Sequence, residues 1–305
     1  MKLAFFDDFR LGIVTGDAIV DIGTAVQSVP HTGPHDLISN LIADFASYRG
    51  RLEAAAAKGS SVPLASVPLR PPLPRPGNIV CMAGNYMEDG TLSAPPPMNA
   101  FQKASTAIIG PGDTMVLPDV GASIFEGEAE IAVVIGKTAD GVRAADAPAH
   151  VFGYTCFIDG SARGVPAFYQ MKSRDTFAAI GPWIVTADEI PDPQKLQIRL
   201  ANNGDVKQSF NTSDMACSIA GCIEWVSAHH ALVPGDLLAT GTNHRGLHAF
   251  QDGDRIDLEI ERVGKLSIGI RDDLRRSWGR ETRLERKGMT PETSPQRTGK
   301  YAKPQ

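Results

Sequence analysis

An apolar strand that opens with three alternating glutamates is the feature that most limits how this chain can fold. The segment IFEGEAEIAVVIGK carries Glu126, Glu128 and Glu130 at every second position. Side chains two residues apart on a strand point to the same side, so two or three of these carboxylates converge on one small volume. Like charges that close repel each other, and burial raises the cost further. A cation that prefers hard oxygen ligands (Mg²⁺, Ca²⁺ or Mn²⁺) would relieve the repulsion, and a solvated acidic face on an edge strand is the alternative.

Strand patterns fill the chain between residues 79 and 271, where glycine and proline turns are frequent and long helices are few. The segment 254–264 alternates Ile and Leu with Asp and Glu, which is the period of a half-buried strand. The other clear strands lie at 129–136, 181–186 and 195–204. Apolar residues at helical spacing predict helices over 36–57 and 215–231. The sequence therefore predicts an α+β fold that is mostly β.

A proline-rich connector, SVPLRPPLPRPGN at 66–78, divides the chain. Proline fixes φ and removes a backbone donor, so this segment is expected to be extended. The sequence predicts a small α/β N-terminal domain over 1–70 and a larger, β-rich domain over 71–278. The polar stretch 279–305 holds too few apolar residues to order itself and is predicted to be a disordered tail, with a docking arm as the alternative.

Composition excludes several classes of protein. With 30 Lys and Arg against 35 Asp and Glu, the formal net charge is −5, which argues against a nucleic-acid-binding surface. No run of about 18 apolar residues is present, so no membrane span is expected. Two aspartates in MKLAFFDDFR interrupt any signal-peptide core. Four cysteines without a CxxC pair indicate a reduced, cytoplasmic protein rather than a disulfide scaffold.

Three further segments carry chemically active side chains. GYTCFIDGSARG holds Asp159, Ser161 and Arg163; MKSRDTFAAIGPW holds Lys172, Asp175 and Thr176; PGDLLATGTNHRG holds Thr240, Thr242, Asn243 and His244. Each segment alone also fits a turn, a surface ion pair or a hairpin loop. The guanidinium of Arg163 offers a fork for a substrate carboxylate, and a buried structural salt bridge is the alternative.

The order of four motifs (EGEAEIAVVIGK, GYTCFIDGSAR, KSRDTFAAIGPWIVT and PGDLLATGT) resembles the fumarylacetoacetate hydrolase family over residues 79–270. GNYMEDG at 84–90 resembles the family's entry segment, which leads into a lid. The resemblance implies a mixed β-roll or sandwich core for the 71–278 domain and assembly as a homodimer. It also implies that Mg²⁺ or Mn²⁺ is held by Glu128, Glu130 and Asp159.

The same resemblance assigns the surroundings of the metal. Lys172 matches a family lysine beside the metal, and Glu126 becomes either a residue behind the ligands or a surface residue. The predicted substrate-binding residues are Lys103 at the pocket rim, Arg163, Thr176 and Thr242.

The sequence departs from the family at the position of its general base. Family hydrolases carry a His, with a Glu three residues later, shortly after the NY, and the corresponding positions here are Asp89 and Leu92. Asp89, Glu88 or His244 could instead activate water. The predicted catalytic residues are therefore Lys172, Asp89 and His244.

Together these features predict a divalent-metal-dependent hydrolase that cleaves a carbon–carbon bond in a small β-diketo acid or acylpyruvate. Such oxo acids can chelate a metal through two oxygens, and Lys172 can offset the negative charge left by three carboxylates around a divalent ion. An oxaloacetate-type decarboxylase or a keto–enol isomerase would use the same metal site without an activated water. A protein that keeps the metal pocket but has lost turnover is the third hypothesis.

Overall fold

Strands account for most of the regular structure in the computed structural model, which describes residues 1–286 and 288–302. In these residues the strands are β1 (Lys2–Phe6), β2 (Arg10–Thr15), β3 (Ala18–Asp21), β4 (Ser61–Pro63), β5 (Leu69–Arg70), β6 (Ile79–Met82), β7 (Ala100–Gln102), β8 (Ile108–Ile109), β9 (Thr114–Val116), β10 (Ile124–Ile135), β11 (Val151–Arg163), β12 (Ala178–Thr186), β13 (Gln197–Asn202), β14 (Asp205–Asn211), β15 (Leu237–Ala239), β16 (Arg255–Ile260) and β17 (Gly264–Arg271). The α-helices are α1 (Gly23–Val26), α2 (Pro34–Ala43), α3 (Phe45–Lys58), α4 (Phe168–Lys172) and α5 (Ile219–Ser227). The predicted α+β fold, mostly β, is confirmed.

The larger of two sheets joins the N-terminal strands to those that carry the glutamates. Across the described residues its order is β4-β3-β2-β1-β12-β11-β10-β15-β6-β7, with β5 beside β1 and β8 beside β12. Strand β1 pairs antiparallel with β12, so that Lys2 lies opposite Val185. The sheet is therefore continuous across residue 70, where the sequence predicts the end of an N-terminal domain; that boundary stays a prediction.

The second sheet, in the order β14-β13-β16-β17-β9, packs against β10, β11 and β12. Along β16 buried and more exposed residues alternate, as the pattern at 254–264 predicts. Its buried Ile256 and Leu258 share one hydrophobic cluster with Ile131 and Val133 of β10. Burial of apolar area contributes about 25 cal/mol per Å², so this contact between the sheets is a main source of stability. It also fixes β10 and β11 at the centre of the molecule.

Strands β10 and β11 are buried along nearly their whole length. Every residue of β10 is buried, and the strand lies between β11 and β15. A Cβ at Gly127 would lie 2.2 Å from the ring of Phe250, and one at Gly160, directly opposite, 2.8 Å from the ring of Phe177. Only glycine fits at these two positions, which explains the spacing of the EGE and DGS motifs. The alternative of a solvated acidic face on an edge strand is wrong.

The helices differ from prediction in length. The helix expected over 36–57 is two helices that meet at Asp44, which has the non-helical angles φ −119° and ψ 30° and accepts a hydrogen bond from the Ser47 hydroxyl at 2.6 Å. The helix expected over 215–231 is the shorter α5. It begins after Ser218, whose side chain caps it by accepting from the backbone N–H of Gly221 at 3.1 Å. Serine competes for backbone hydrogen bonds in this way at helix ends.

The C-terminal segment contacts the rest of the chain within its described residues, 279–286 and 288–302. The backbone N–H groups of Arg283 and Leu284 donate to the carbonyls of Leu247 (2.8 Å) and Arg245 (2.9 Å). The preceding Trp278 donates its indole N–H to Ser123 O at 2.6 Å. Charged side chains can make such contacts by pairing with buried charge instead of burying apolar area, and the disordered tail over 279–305 stays a prediction. Lys287 and residues 303–305 of that prediction lie outside the described residues.

Candidate metal centre and its surroundings

Three carboxylates meet where β10 and β11 pair. Glu128 lies opposite Asp159 in the antiparallel register, and Glu130 follows two residues later on the same side of β10. One oxygen from each of the three groups lies within 4.8 Å of the others, and all three residues are buried. The structure therefore brings together the three side chains predicted as metal ligands.

Glu130 shows that the cluster suits a cation. Its Oε2 accepts from the backbone N–H of Gly241 at 2.6 Å, whereas its buried Oε1 has no hydrogen-bond partner among the described residues. Burial, together with the negative charges of Asp159 and Glu128, raises the pKa of Glu130 well above its ordinary value. An unpartnered buried oxygen beside two carboxylates is a costly arrangement. Oxygen donors of this kind match the preferences of Mg²⁺, Mn²⁺ and Ca²⁺.

Lys172 bridges two of the carboxylates. Its Nζ donates to Glu128 Oε1 at 2.7 Å and to Asp159 Oδ2 at 2.5 Å. Burial alone would lower the pKa of Lys172, but the negative charges of Asp159 and Glu128 raise it above the ordinary value. In Glu128 burial is likewise outweighed, since Lys172, Arg163 and His244 lower the pKa of its carboxyl. These two groups form a fully charged buried pair.

Lys103 corrects one sequence expectation. It was expected at the pocket rim, but its side chain is fully buried behind Asp159. Its Nζ donates to Asp159 Oδ1 at 2.5 Å and to the backbone carbonyl of Lys172 at 2.5 Å. The third donor of Nζ is used by Gly160 O at 3.2 Å. Because all three donors of its ammonium group are used inside the protein, Lys103 does not extend to the pocket rim. It holds Asp159 and the end of α4 in place.

Glu126 lies at the centre of an arginine cluster behind the metal ligands. It accepts from Arg163 Nε at 3.2 Å, from Arg283 Nη2 at 2.5 Å and from Arg286 Nη2 at 3.1 Å. Arg163 also contacts Glu128, so it links the cluster to the metal centre. Glu126 is buried, which rules out the surface alternative, and Arg163 forms the buried salt bridge that was its alternative. Two of these arginines come from the C-terminal segment.

A loop after β15 closes one side of the site. The Thr242 hydroxyl donates to the carbonyl of Ala129, which lies between the two glutamate ligands, at 2.8 Å. Gln208 donates from Nε2 to Thr242 Oγ1 at 2.9 Å and to Asn243 O at 2.8 Å. Gly241 has φ +83°, a conformation that glycine adopts without strain. This turn points the Gly241 N–H at Glu130 and places Thr242 beside the ligands.

The turn at residues 84–90, called the lid turn below, contacts this loop through Glu88. The His244 Nδ1 lies 2.6 Å from Glu88 Oε1, and the His244 backbone N–H donates to Glu88 Oε2 at 2.9 Å. Asp89, the neighbouring candidate, is half-exposed and accepts from Asn243 Nδ2 at 3.1 Å. The contacts of the described residues do not bring Asp89 to the carboxylates, so its catalytic role stays a prediction.

Thr176 lies elsewhere. Its hydroxyl accepts from the backbone N–H of Val116 at 2.9 Å, and its φ is +67°. Within residues 1–286 and 288–302 it makes no hydrogen bond to the three carboxylates, and its predicted contact with substrate stays a prediction. The same holds for substrate contacts of Arg163 and Thr242, whose hydrogen bonds within the protein are now known.

Sequence reasoning missed three kinds of supporting residue. Gln208 lies outside the predicted strands and was given no role, and Arg283 and Arg286 belong to the predicted disordered tail. The spacing of RETRLER, with arginines three residues apart, is the one local signal that could have indicated a cationic face. Glu88 was named only as a possible base, and nothing near it in sequence indicates its contact with His244.

Several known proteins are similar to this chain in sequence. The sequence model described as "Fumarylacetoacetate (FAA) hydrolase C-terminal" matches residues 78–271. The maleylpyruvate hydrolase of Aquipseudomonas alcaligenes is 33% identical over 287 residues, which cover 89% of this chain and 99% of that protein. The mitochondrial oxaloacetate tautomerase FAHD2A of Bos taurus is also 33% identical, over 277 residues, 84% of this chain and 85% of that protein.

A solved structure is similar in fold as well as in sequence. The crystal structure of maleylpyruvate hydrolase from Sphingobium sp. SYK-6, in complex with manganese(II) ion and pyruvate, superposes with a TM-score of 0.82. It is 40% identical and covers 89% of this chain and 99% of that one. The likeness therefore spans both the N-terminal strands and the core that holds the carboxylates.

Proposed function

Because the chain belongs to the fumarylacetoacetate hydrolase family, we propose that it is a metal-dependent hydrolase that cleaves the carbon–carbon bond of an acylpyruvate. The observation that carries the proposal is the buried cluster of Glu128, Glu130 and Asp159, with one oxygen of Glu130 left without a partner among the described residues. Relatives 33% and 40% identical are maleylpyruvate hydrolases, and one was crystallised with manganese and pyruvate. An acylpyruvate contains the pyruvate unit itself.

The three carboxylates would hold one divalent ion, Mn²⁺ or Mg²⁺. When bound, such an ion acts as a Lewis acid that stabilises negative charge developing on the substrate's oxygen atoms. Lys172 orients Glu128 and Asp159 through hydrogen bonds of 2.7 and 2.5 Å. Lys103 fixes the other oxygen of Asp159. These lysines pre-organise the ligands and lower the cost of gathering three negative charges in a buried site.

Charge also supports an acidic substrate. In the metal-free centre Lys172 and Lys103 offset two of the three carboxylates, and a divalent ion would make the centre positive overall. A buried positive centre attracts an anion, and the carboxylate of a 2-oxo acid supplies one. Thr242 lies beside the ligands and would contact the substrate there.

An oxaloacetate tautomerase is the second candidate. It is favoured by the 33% identity to proteins of that name and by the absence of the family's His and Glu from positions 89 and 92. Tautomerisation moves protons without consuming water, so it would not need an activated water molecule.

The test is turnover of maleylpyruvate, acetylpyruvate and oxaloacetate by the Mn²⁺-loaded and Mg²⁺-loaded chain, with EDTA-treated protein for comparison. We expect EDTA-sensitive cleavage of an acylpyruvate into pyruvate and a carboxylic acid without release of CO₂. Glu128→Gln should remove both metal binding and cleavage. Conversion of enol- to keto-oxaloacetate without cleavage of either acylpyruvate would favour the tautomerase, and metal binding without turnover would contradict both enzymes.

Three finer features belong to the same proposal: a preference for Mg²⁺ or Mn²⁺, a homodimeric assembly and a cytoplasmic location. Metal titration, analytical ultracentrifugation and fractionation of cells that express the tagged chain would test them in turn. Among the described residues no helix is long and apolar enough to cross a membrane.

A further inference from the structure

Hydrolysis needs a group that takes a proton from water, and the segment where the family places its histidine has no histidine. The positions concerned hold Asp89 and Leu92. We propose that His244 is the general base of the hydrolysis and that Glu88 of the lid turn positions it. This assignment rests on the proposed function, because it requires that water is consumed.

Both oxygens of Glu88 hold His244. Nδ1 lies 2.6 Å from Oε1, and the backbone N–H donates to Oε2 at 2.9 Å. An ionised carboxylate can only accept, so Nδ1 carries the hydrogen and Nε2 presents its lone pair. Nε2 makes no hydrogen bond to any of the described residues. A carboxylate that fixes the ring and its tautomer in this way is the arrangement found where histidine acts as a base.

The loop that carries His244 is tied to the metal ligands. Gly241 donates to Glu130 at 2.6 Å, and Thr242 donates to the carbonyl of Ala129 at 2.8 Å. Consecutive Cα atoms are about 3.8 Å apart, so the Cα of His244 lies within about 7.6 Å of the Cα of Thr242.

Glu88 is held on its own side as well. Its backbone has φ +55°, an uncommon conformation for a residue other than glycine, and its carbonyl accepts from Arg245 Nη1 at 3.3 Å. The side chain of Glu88 is 15% exposed and that of His244 is 25% exposed. Water therefore reaches the imidazole ring, but most of the contact between the two side chains is shielded from solvent. A strained lid residue whose carboxylate is fully used by one histidine indicates a function for that contact.

The competing base, Asp89, is less well placed. Its side chain is 53% exposed and is engaged by Asn243 at 3.1 Å and Arg245 at 3.5 Å. Asp214, which accepts from the backbone N–H of Asp89 at 3.0 Å and from Asn243 Nδ2 at 3.3 Å, adds a second carboxylate on that side. Among the described residues, Glu88 contacts His244, and Asp89 and Asp214 contact its neighbours Asn243 and Arg245.

The step balances as follows. Nε2 of His244 takes one proton from water, and the water oxygen forms a bond to the acyl carbonyl carbon of the acylpyruvate. The bond between that carbon and the methylene carbon then breaks, and its electron pair stays with the pyruvate fragment. The imidazolium returns its proton to the methylene carbon, which gives pyruvate. The other product is the carboxylic acid, which loses its proton to solvent.

The experiment measures hydrolysis of maleylpyruvate and acetylpyruvate by the full chain loaded with Mn²⁺. His244→Ala, Glu88→Gln and the double variant are compared with His229→Ala, a histidine exposed at the end of α5. Asp89→Asn tests the competing base. Mn²⁺ affinity, measured by calorimetry, and circular dichroism show that each variant is folded and loaded.

We expect His244→Ala to lose about 10²–10⁴-fold in kcat, the usual contribution of a general base, with little change in KM or in Mn²⁺ affinity. Added imidazole should restore part of the rate. Glu88→Gln should lose less, and the double variant should fall no further than His244→Ala, because the two residues act as one unit. Imidazole should rescue the double variant less well than His244→Ala, since no carboxylate orients it.

Three outcomes would overturn the assignment. A His244→Ala variant that hydrolyses like His229→Ala, in a wild type that is active, would remove the base and leave the hydrolase standing. Loss of hydrolysis in Asp89→Asn with retention in His244→Ala would transfer the role to Asp89. A loaded wild type that cleaves neither acylpyruvate would overturn the hydrolase and the base together.

Discussion

The C-terminal segment should stabilise the protein through two arginines that reach a buried carboxylate. Glu126 has a fully buried side chain, and Arg283 and Arg286 bind it at 2.5 and 3.1 Å. The double substitution Arg283→Gln with Arg286→Gln removes both cations and leaves Arg163 as the partner of Glu126. This variant tests whether the docked segment contributes to folding, without removing any proposed metal ligand.

The size of the effect follows from burial. A hydrogen bond to a charged group contributes about 1.5–3 kcal/mol to stability. Three such hydrogen bonds to Glu126 are lost, two from Arg283 and one from Arg286. Arg283 is 21% exposed and Arg163 remains, so the sum is strongly discounted. We expect the free energy of unfolding to fall by about 2–4 kcal/mol, which lowers Tm by on the order of 5 °C for a chain of this size.

The loss of unfolding free energy in the double variant should depend on pH. Burial opposes ionisation of Glu126, but Arg283, Arg163 and Arg286 lower its pKa below the ordinary value. A lowered carboxyl pKa gives stability that is present above the unfolded-state pKa and is lost as pH falls through the folded-state value. The difference between wild type and variant should therefore be largest near neutral pH and shrink in acid.

Urea unfolding, followed by tryptophan fluorescence at pH 7 and pH 4, measures both quantities, because Trp278 lies at the start of the docked segment. Arg297→Gln is the matched control, since its pair with Glu281 is more than half exposed on both sides and should be worth less than about 1 kcal/mol. If the double variant is as stable as Arg297→Gln at pH 7, the docking of this segment through Glu126 is refuted.

Three further predictions concern buried charge. Lys172→Met should cost the metal-free protein about 3–5 kcal/mol, because Glu128 and Asp159 lose a shared cation, and Mn²⁺ should then raise Tm more than it does in wild type; equal metal-induced shifts would contradict this. Glu130→Gln should raise the stability of the metal-free protein at pH 7 by relieving repulsion, and should remove the Mn²⁺-dependent rise in Tm; an unchanged rise would exclude Glu130 as a ligand. Burial lowers the pKa of His248 to about 4, so stability should decline as pH falls from about 6.5 toward that value, by up to about 3 kcal/mol, and His248→Gln should flatten this part of the pH profile in thermal unfolding.

The carboxylate cluster could be predicted from sequence because its information is local. Glu128 and Glu130 are two residues apart on one strand, and a period of two places them on the same side whatever the rest of the chain does. Asp159 and Lys172 required the order of motifs, which is a property of the family rather than of spacing. The strand at 254–264 could likewise be predicted from its alternation of apolar and polar residues alone.

The contacts that were not predicted join residues far apart in the chain. Glu88 and His244 are separated by 156 positions, and Glu126 and Arg286 by 160. No periodicity spans such distances, and hydrophobic patterning says nothing of charged side chains that dock by pairing. Lys103 was predicted at the pocket rim for the same reason. A lysine is expected at a surface unless a buried partner, here Asp159, is known.

The arginine cluster and the metal centre share Arg163, and this explains why Glu126 is buried at all. Arg163 contacts Glu128, a proposed ligand, and also binds Glu126 at 3.2 Å. Without Glu126, Arg163 would rest on Glu128 alone and compete with a metal ion for its oxygen. Glu126 gives the guanidinium of Arg163 a second partner, and Arg283 and Arg286 offset the free-energy cost of burying the Glu126 carboxylate. The first glutamate of the EGEAE motif therefore supports the two that follow it, and the C-terminal segment contributes to the site through Glu126.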